Sequence, residues 1–116
     1  MSAGLTTHVL DTSREGPAAG VDITLQRLES TGTPETVARG TTNNDGRLNE
    51  PLLTVPEMET GTYQLLFEVG EYYREEGSES TFLETVPVQF VIDDPEEHYH
   101  VPLLLSPGGY TTYRGS

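Results

Sequence analysis

Three histidines, His8, His98 and His100, are the side chains of this 116-residue sequence whose ordinary pKa lies near neutrality. His98 and His100 are separated by one residue, and in a strand that spacing puts both rings on one face. Rings placed this way can act as a general base and its orienting partner, passing a proton to or from water. With the distant His8 they can equally ligate zinc, because a catalytic site of three histidines is chemically sound. Histidines with a purely structural or solvated role are the third reading, and the spacing by itself does not choose among them. The basic complement is as sparse: Arg14, Arg27, Arg39, Arg47, Arg74 and Arg114, with no lysine. Arg47 follows Asn44-Asp45-Gly46, a rigid turn able to aim a guanidinium, and that planar fork suits a carboxylate or imide-like oxygens. An ion pair with some of the nineteen acidic residues is the competing reading for Arg47, and the expected one for Arg27, Arg39 and Arg74.

The last residues, Tyr110-Thr111-Thr112-Tyr113-Arg114-Gly115-Ser116, stay strand-like almost to the end, where chains usually fray. A tail of this kind is either an ordinary edge strand or one clamped where tyrosine hydroxyls can reach a ligand. Other chemistries find no footing. There is no Gly-x-Ser-x-Gly elbow, phosphate loop, dinucleotide fingerprint or cysteine nucleophile. Asp93-Asp94 and Glu96-Glu97 read as a solvated acidic turn between strands.

The elements that must position these residues are short strands. Apolar and β-branched residues recur at period two in Leu5–Leu10, Val21–Leu28, Glu35–Thr42, Gly61–Val69, Val86–Ile92, His100–Leu105 and Tyr110–Arg114. Turns at Gly16-Pro17, Gly32-Thr33-Pro34 and Asn43-Asn44-Asp45-Gly46 separate them. Glu71–Glu79 lacks alternation and has fair helix propensity, which predicts one short helix. The fold class is therefore all-β: a two-sheet sandwich of seven or eight strands with one short helix, in a single domain spanning 1–116.

Composition narrows the partners. With no Trp and no Cys, the core must be built from Val, Leu and Ile with Tyr and Phe as its largest pieces, and disulfides or thiolate zinc sites are excluded. Association between copies is the remaining supplement for so thin a core. A net charge of −13 repels phosphate backbones and anionic bilayers, so neither nucleic acid nor membrane is an expected partner. No run approaches the ~20 apolar residues of a membrane span, and Met1 to Gly20 lacks the pattern of a signal peptide. A cytoplasmic location is expected.

Three separated blocks carry a resemblance that covers essentially the whole chain. They are Leu5-Thr6-Thr7-His8-Val9-Leu10-Asp11, Thr42-Asn43-Asn44-Asp45-Gly46-Arg47, and the stretch from His98-Tyr99-His100-Val101-Pro102 through Leu103-Leu104-Leu105-Ser106-Pro107 to the terminal Tyr113-Arg114-Gly115-Ser116. Phe82 to Val88 is a further matching stretch. Together they resemble the transthyretin-like (prealbumin-like) 5-hydroxyisourate hydrolases, and the terminal tetrapeptide is the most specific part, since it separates these enzymes from the hormone carrier. The resemblance implies a homotetrameric dimer of dimers with active sites in the channel between dimers, and a role in purine (urate) degradation. It implies that His8, Arg47 and His100 are catalytic, with Tyr113 and Ser116 closing the substrate pocket and His98 in support. No metal or other cofactor is implied. Gly108-Gly109 departs from the family, many of whose members carry an aromatic residue before the second glycine; the departure loosens the turn into the last strand without touching the catalytic positions. The alternative is a non-catalytic transthyretin-like carrier of small aromatic ligands, for which two histidines and an arginine in the channel would be a desolvation cost without a return. A generic adhesin-like or regulatory sandwich accounts for the first two-thirds of the chain but leaves the His-x-His strand and the tail unexplained.

Overall fold

A computed structural model describes residues 4–28, 32–78 and 81–115. Two sheets form the sandwich. The first contains β1 (Gly4–Asp11), β2 (Gly16–Pro17), β5 (Leu53–Thr54), β8 (Tyr99–Ser106) and β9 (Gly109–Thr112), in the order β2-β1-β8-β9 with β5 also on β1. The second has the order β4-β3-β6-β7, built from β3 (Asp22–Leu28), β4 (Glu35–Thr41), β6 (Gly61–Phe67) and β7 (Val86–Ile92). One helix, α1 (Val69–Glu75), follows β6.

Alternation decides which residues face the core. On β1, Leu5, Thr7, Val9 and Asp11 are buried while Thr6, His8 and Leu10 are only half-buried. On β8, Tyr99, Val101, Leu103 and Leu105 point inward, and His100, Leu104 and Ser106 are half-buried. The inward sets meet Ile23, Leu25, Tyr63, Leu65, Phe67, Val88 and Ile92 of the second sheet in one core. β1 and β8 run parallel, with Leu5 opposite Tyr99, Thr6 opposite His100 and His8 opposite Pro102. This register gathers Thr6, His8 and His100 on the outer face of the first sheet.

A buried carboxylate ties the helix to this sheet. Asp11 is fully buried at the end of β1, where it accepts hydrogen bonds from Tyr72 Oη at 2.8 Å, Tyr73 Oη at 3.3 Å and the Ser13 amide at 3.0 Å. Because these donors satisfy it, the charge anchors α1 rather than disrupting the core. Burial beside Asp11 pushes the Tyr73 hydroxyl up to about 12.

Seven of the strands are the alternating runs expected from sequence, and the differences lie at their ends and in two short pieces. Gly16-Pro17, expected to be a turn, is β2: the chain reverses earlier, with Arg14 N–H bonded to Asp11 O at 3.1 Å, and then pairs back on Leu10 and Asp11. β5 and the 3-10 turn Val55–Glu57 are too short to show a period. The Gly61 strand stops at Phe67, because Val69 already opens α1. That helix ends before Gly77, which has φ 101°, rather than running to Glu79, a position outside the described residues. The final strand ends at Thr112 instead of Arg114; beyond it, Gly115 alone returns to bond His100.

Candidate active site

The Asn43–Arg47 turn is built by its first residue. Asn43 Oδ1 accepts from the Asp45 amide at 2.8 Å and the Arg47 amide at 3.2 Å, and Asn43 O accepts from Gly46 N–H at 2.9 Å. Gly46 has φ 74°, a left-handed conformation that a side chain strains, and a Cβ there would press on the Val9 carbonyl and the Pro17 ring. So close an approach lets Val9 N–H donate to Gly46 O at 2.8 Å and sets Arg47 in a bridge with His8. The turn also orients His8, whose Nε2 is 2.9 Å from the Asp45 carbonyl oxygen. A carbonyl only accepts, so Nε2 carries the proton and the neutral ring keeps its lone pair on Nδ1.

The other two histidines meet β1. His98 Nδ1 accepts from Gly4 N–H at 3.2 Å, and Thr6 Oγ1 lies 3.3 Å from His98 Nε2 and 2.8 Å from His100 Nδ1. The His98 and His100 rings are nearly parallel, with centroids 6.4 Å apart. Thr6, Thr7, Arg47, Leu48, Glu50, His98 and His100 line a cavity of about 340 Å³ on this face.

Arg47 is the one arginine lining this cavity and Glu50 its one carboxylate. Burial, followed by the positive Arg47, lowers the pKa of His8 below the usual imidazole range. Burial does the same to His100, aided by Arg47, His98 and His8. Both rings are therefore neutral at neutral pH. Arg14, Arg27, Arg74 and Arg114 each hold a carboxylate, from Glu76, Glu59, Glu84 and Glu97 respectively. Among the described residues Arg47 has no such partner, and its guanidinium remains available to an anionic or carbonyl-rich ligand. No group of three or more His, Cys, Asp and Glu is arranged to hold a metal ion among the described residues.

His8, Arg47, His98 and His100 are thus brought together from β1, the turn at 43–47 and the start of β8. Tyr113 is not placed with them in its own chain. It is 55% exposed and lines a second cavity, about 300 Å³, with Phe90, Val91, Tyr99 and Arg114. Arg114 lies over the Tyr99 ring, 4.3 Å from its centroid, and bonds the His98 carbonyl at 3.3 Å. Gly115 N–H donates to His100 O at 2.7 Å, and a Cβ on Gly115 would collide with the His100 ring. Ser116 is outside the described residues. Sequence reasoning passed over Thr6 and Glu50. Thr6 lies two residues before His8 on the same strand face, a signal that was available; Glu50 has none, because it enters the cavity from an irregular loop.

The sequence profile of the HIUase/Transthyretin family matches residues 5–115. The chain is 51% identical to the 5-hydroxyisourate hydrolase of Halalkalibacterium halodurans, with 100% of each chain covered. The solved structure of Klebsiella pneumoniae 5-hydroxyisourate hydrolase superposes with a TM-score of 0.82 at 35% identity, covering 98% of this chain and 99% of that one. Transthyretin from Sparus aurata superposes with a TM-score of 0.89 at 29% identity, covering 97% of both.

Proposed function

The chain belongs to the HIUase/Transthyretin family, and from that membership and the histidine-arginine cavity we propose that it is a 5-hydroxyisourate hydrolase. The observation that carries the reading is a guanidinium without a carboxylate partner that lines a cavity with His100 and bridges His8, both imidazoles being held neutral by burial and by its charge.

In this mechanism His8 Nδ1 takes a proton from a water as its oxygen attacks the ring carbonyl carbon of 5-hydroxyisourate, while His100 orients the reacting groups. Arg47 holds substrate oxygens and offsets the negative charge developing on the attacked carbonyl oxygen. The bond from that carbon to its ring nitrogen then breaks, the nitrogen takes the proton, and the product is 2-oxo-4-hydroxy-4-carboxy-5-ureidoimidazoline. Water supplies both the oxygen and the hydrogen gained, so the step needs no cofactor. The residues assigned are His8, Arg47 and His100 as catalytic, with His98, Tyr113 and Ser116 contributing to substrate binding.

The same reading has the protein work as a homotetramer, a dimer of dimers, in the cytoplasm. Each sheet has an edge strand with an exposed large apolar or aromatic side chain that this assembly would cover, Val91 on β7 and Tyr110 on β9. Since Tyr113 lines a different cavity of its own chain, its place in a substrate pocket depends on a neighbouring copy in that assembly. No helix among the described residues is long and apolar enough to cross a membrane.

Turnover separates this function from the carrier reading. With substrate in large excess, mass spectrometry should find many equivalents of ring-opened product per protein chain before spontaneous decay contributes appreciably. Retention of intact ligand at stoichiometric occupancy would favour the carrier.

A further inference from the structure

We propose that Thr6 and His98 are positioning residues that fix the tautomer of His100, so that His100 presents Nε2–H to the substrate as a neutral hydrogen-bond donor. The role in turnover rests on the hydrolase reading; the tautomer does not.

The assignment follows from a chain of partners in which the first has no choice. A backbone amide only donates, so Gly4 N–H at 3.2 Å meets a lone pair on His98 Nδ1, and neutral His98 carries its proton on Nε2. Nε2–H then donates to Thr6 Oγ1 at 3.3 Å. Among the described residues Thr6 Oγ1 bonds only these two rings, so with His98 donating, the one acceptor left for its hydroxyl hydrogen is His100 Nδ1 at 2.8 Å, and we place it there. An accepting Nδ1 leaves the His100 proton on Nε2. The parallel register with Thr6 opposite His100 makes the geometry possible, since it stacks the threonine between the two rings on one sheet face.

Nε2 is also the open end of the chain. No buried side-chain nitrogen or oxygen among the described residues lacks a partner, and His100 Nε2 has none, so this atom is accessible on a ring that lines the cavity. A cationic His100 would need to donate from Nδ1 to Thr6, turning the threonine hydrogen away from its acceptor. Arg47 from the turn, His98 on its own strand and His8 on β1 add to the effect of burial against that state, the Thr6 backbone acts weakly the other way, and Glu50 is the one carboxylate lining the cavity.

His8 has the complementary form. Its Nε2–H is held by the Asp45 carbonyl and its Nδ1 lone pair is free. One imidazole therefore accepts a proton and the other donates a hydrogen bond. Addition of water to a carbonyl uses both: the acceptor for the attacking water, the donor, beside Arg47, for the carbonyl oxygen. A neutral imidazole is a competent donor to a developing oxyanion when its second nitrogen is pinned.

The test is ¹⁵N NMR of the histidine rings in the full-length protein, together with kinetics of 5-hydroxyisourate decay, for wild type, Thr6→Val, Thr6→Ser and His98→Ala. Wild-type His100 should show a bare Nδ1 and a protonated Nε2. Thr6→Val, which keeps the shape and removes the hydroxyl, should populate both tautomers and lower kcat about tenfold, with KM changed by less than about twofold. Thr6→Ser should recover most of that loss, and His98→Ala should fall between. A wild-type His100 protonated on Nδ1, or a tautomer unmoved by Thr6→Val, would overturn the proposal. If the tautomers behave as stated while no protein, wild type included, accelerates substrate decay, the tautomer assignment stands and the hydrolase reading falls.

Discussion

At the scale of single residues, the site works by keeping two imidazoles neutral beside a fixed positive charge. His8 is lowered by burial and by Arg47, and His100 by burial and the same cation. Activity should therefore hold as pH falls to the ordinary imidazole value of about 6.5 and decline only below it, when the bases protonate; a pH profile of kcat/KM whose acidic midpoint lies above that value would contradict the assignment. The same shift has a sign for stability. An unfolded chain takes up these protons first, so the contribution is complete above about pH 6.5 and is lost as pH falls toward the lower folded values. Replacing His8 by Ala removes the lone pair assigned to the attacking water, and kcat should drop roughly 10²- to 10⁴-fold, with substrate still bound. Gly115→Ala probes the tail from the other side: its Cβ would displace the His100 ring, so activity should fall while thermal stability changes little. Much at this scale was legible in sequence. The His98-x-His100 spacing and the Asn-Asp-Gly turn before Arg47 each pointed to the residues that converge. Thr6 could be placed on the face of His8 by its spacing, but not between the other two rings, because it meets His98 and His100 from 92 and 94 positions away along the chain and only the β1–β8 register joins them.

At the scale of elements, the turn at 43–47 and the parallel β1–β8 pair are what give the residues their geometry. Gly46 is the point where turn and strand touch. Gly46→Ala should be damaging twice over, through a left-handed backbone and through collision with the Val9 carbonyl, costing more than the ~1 kcal/mol of backbone strain alone and reducing activity by displacing Arg47. Gly77→Ala is the control: its φ of 101° is also strained, but no atom lies within 4 Å of the added Cβ, so melting should report strain without loss of activity. Asp11 offers a separate check on the helix, since Tyr72→Phe removes a 2.8 Å bond to a buried carboxylate and should cost about 1–3 kcal/mol in denaturant unfolding. Alternation predicted the seven longer strands, and its basis is plainest in β1, β3, β6, β7 and β8, where one face is buried; β4 and β9 have no buried residue. It could not find β2 or β5, whose two residues each have no period and are strands only through what β1 offers them.

For the whole molecule, the question is what covers the β7 and β9 edges of the two sheets. Val91 on β7 is 59% exposed, and Tyr113, expected in the substrate pocket, lines instead the cavity beside that edge in its own chain. Which cavity Tyr113 lines in its own chain was not readable from the sequence, because a terminal motif does not say how the tail packs. If the proposed tetramer is correct, sedimentation should give about four chains, and Val91→Lys should weaken assembly and activity together; a fully active monomer would separate the site from the assembly. The surface charge of −13 makes such association salt-sensitive, favoured as ionic strength rises.

Whether the chain is a hydrolase is decided by the ultraviolet absorbance decay of freshly generated 5-hydroxyisourate with purified protein, run beside His100→Ala and in buffer containing a chelator. Wild type should give rapid decay, unchanged by chelation, and the variant decay slowed by at least about 10²-fold. Decay no faster than the spontaneous reaction would contradict that function.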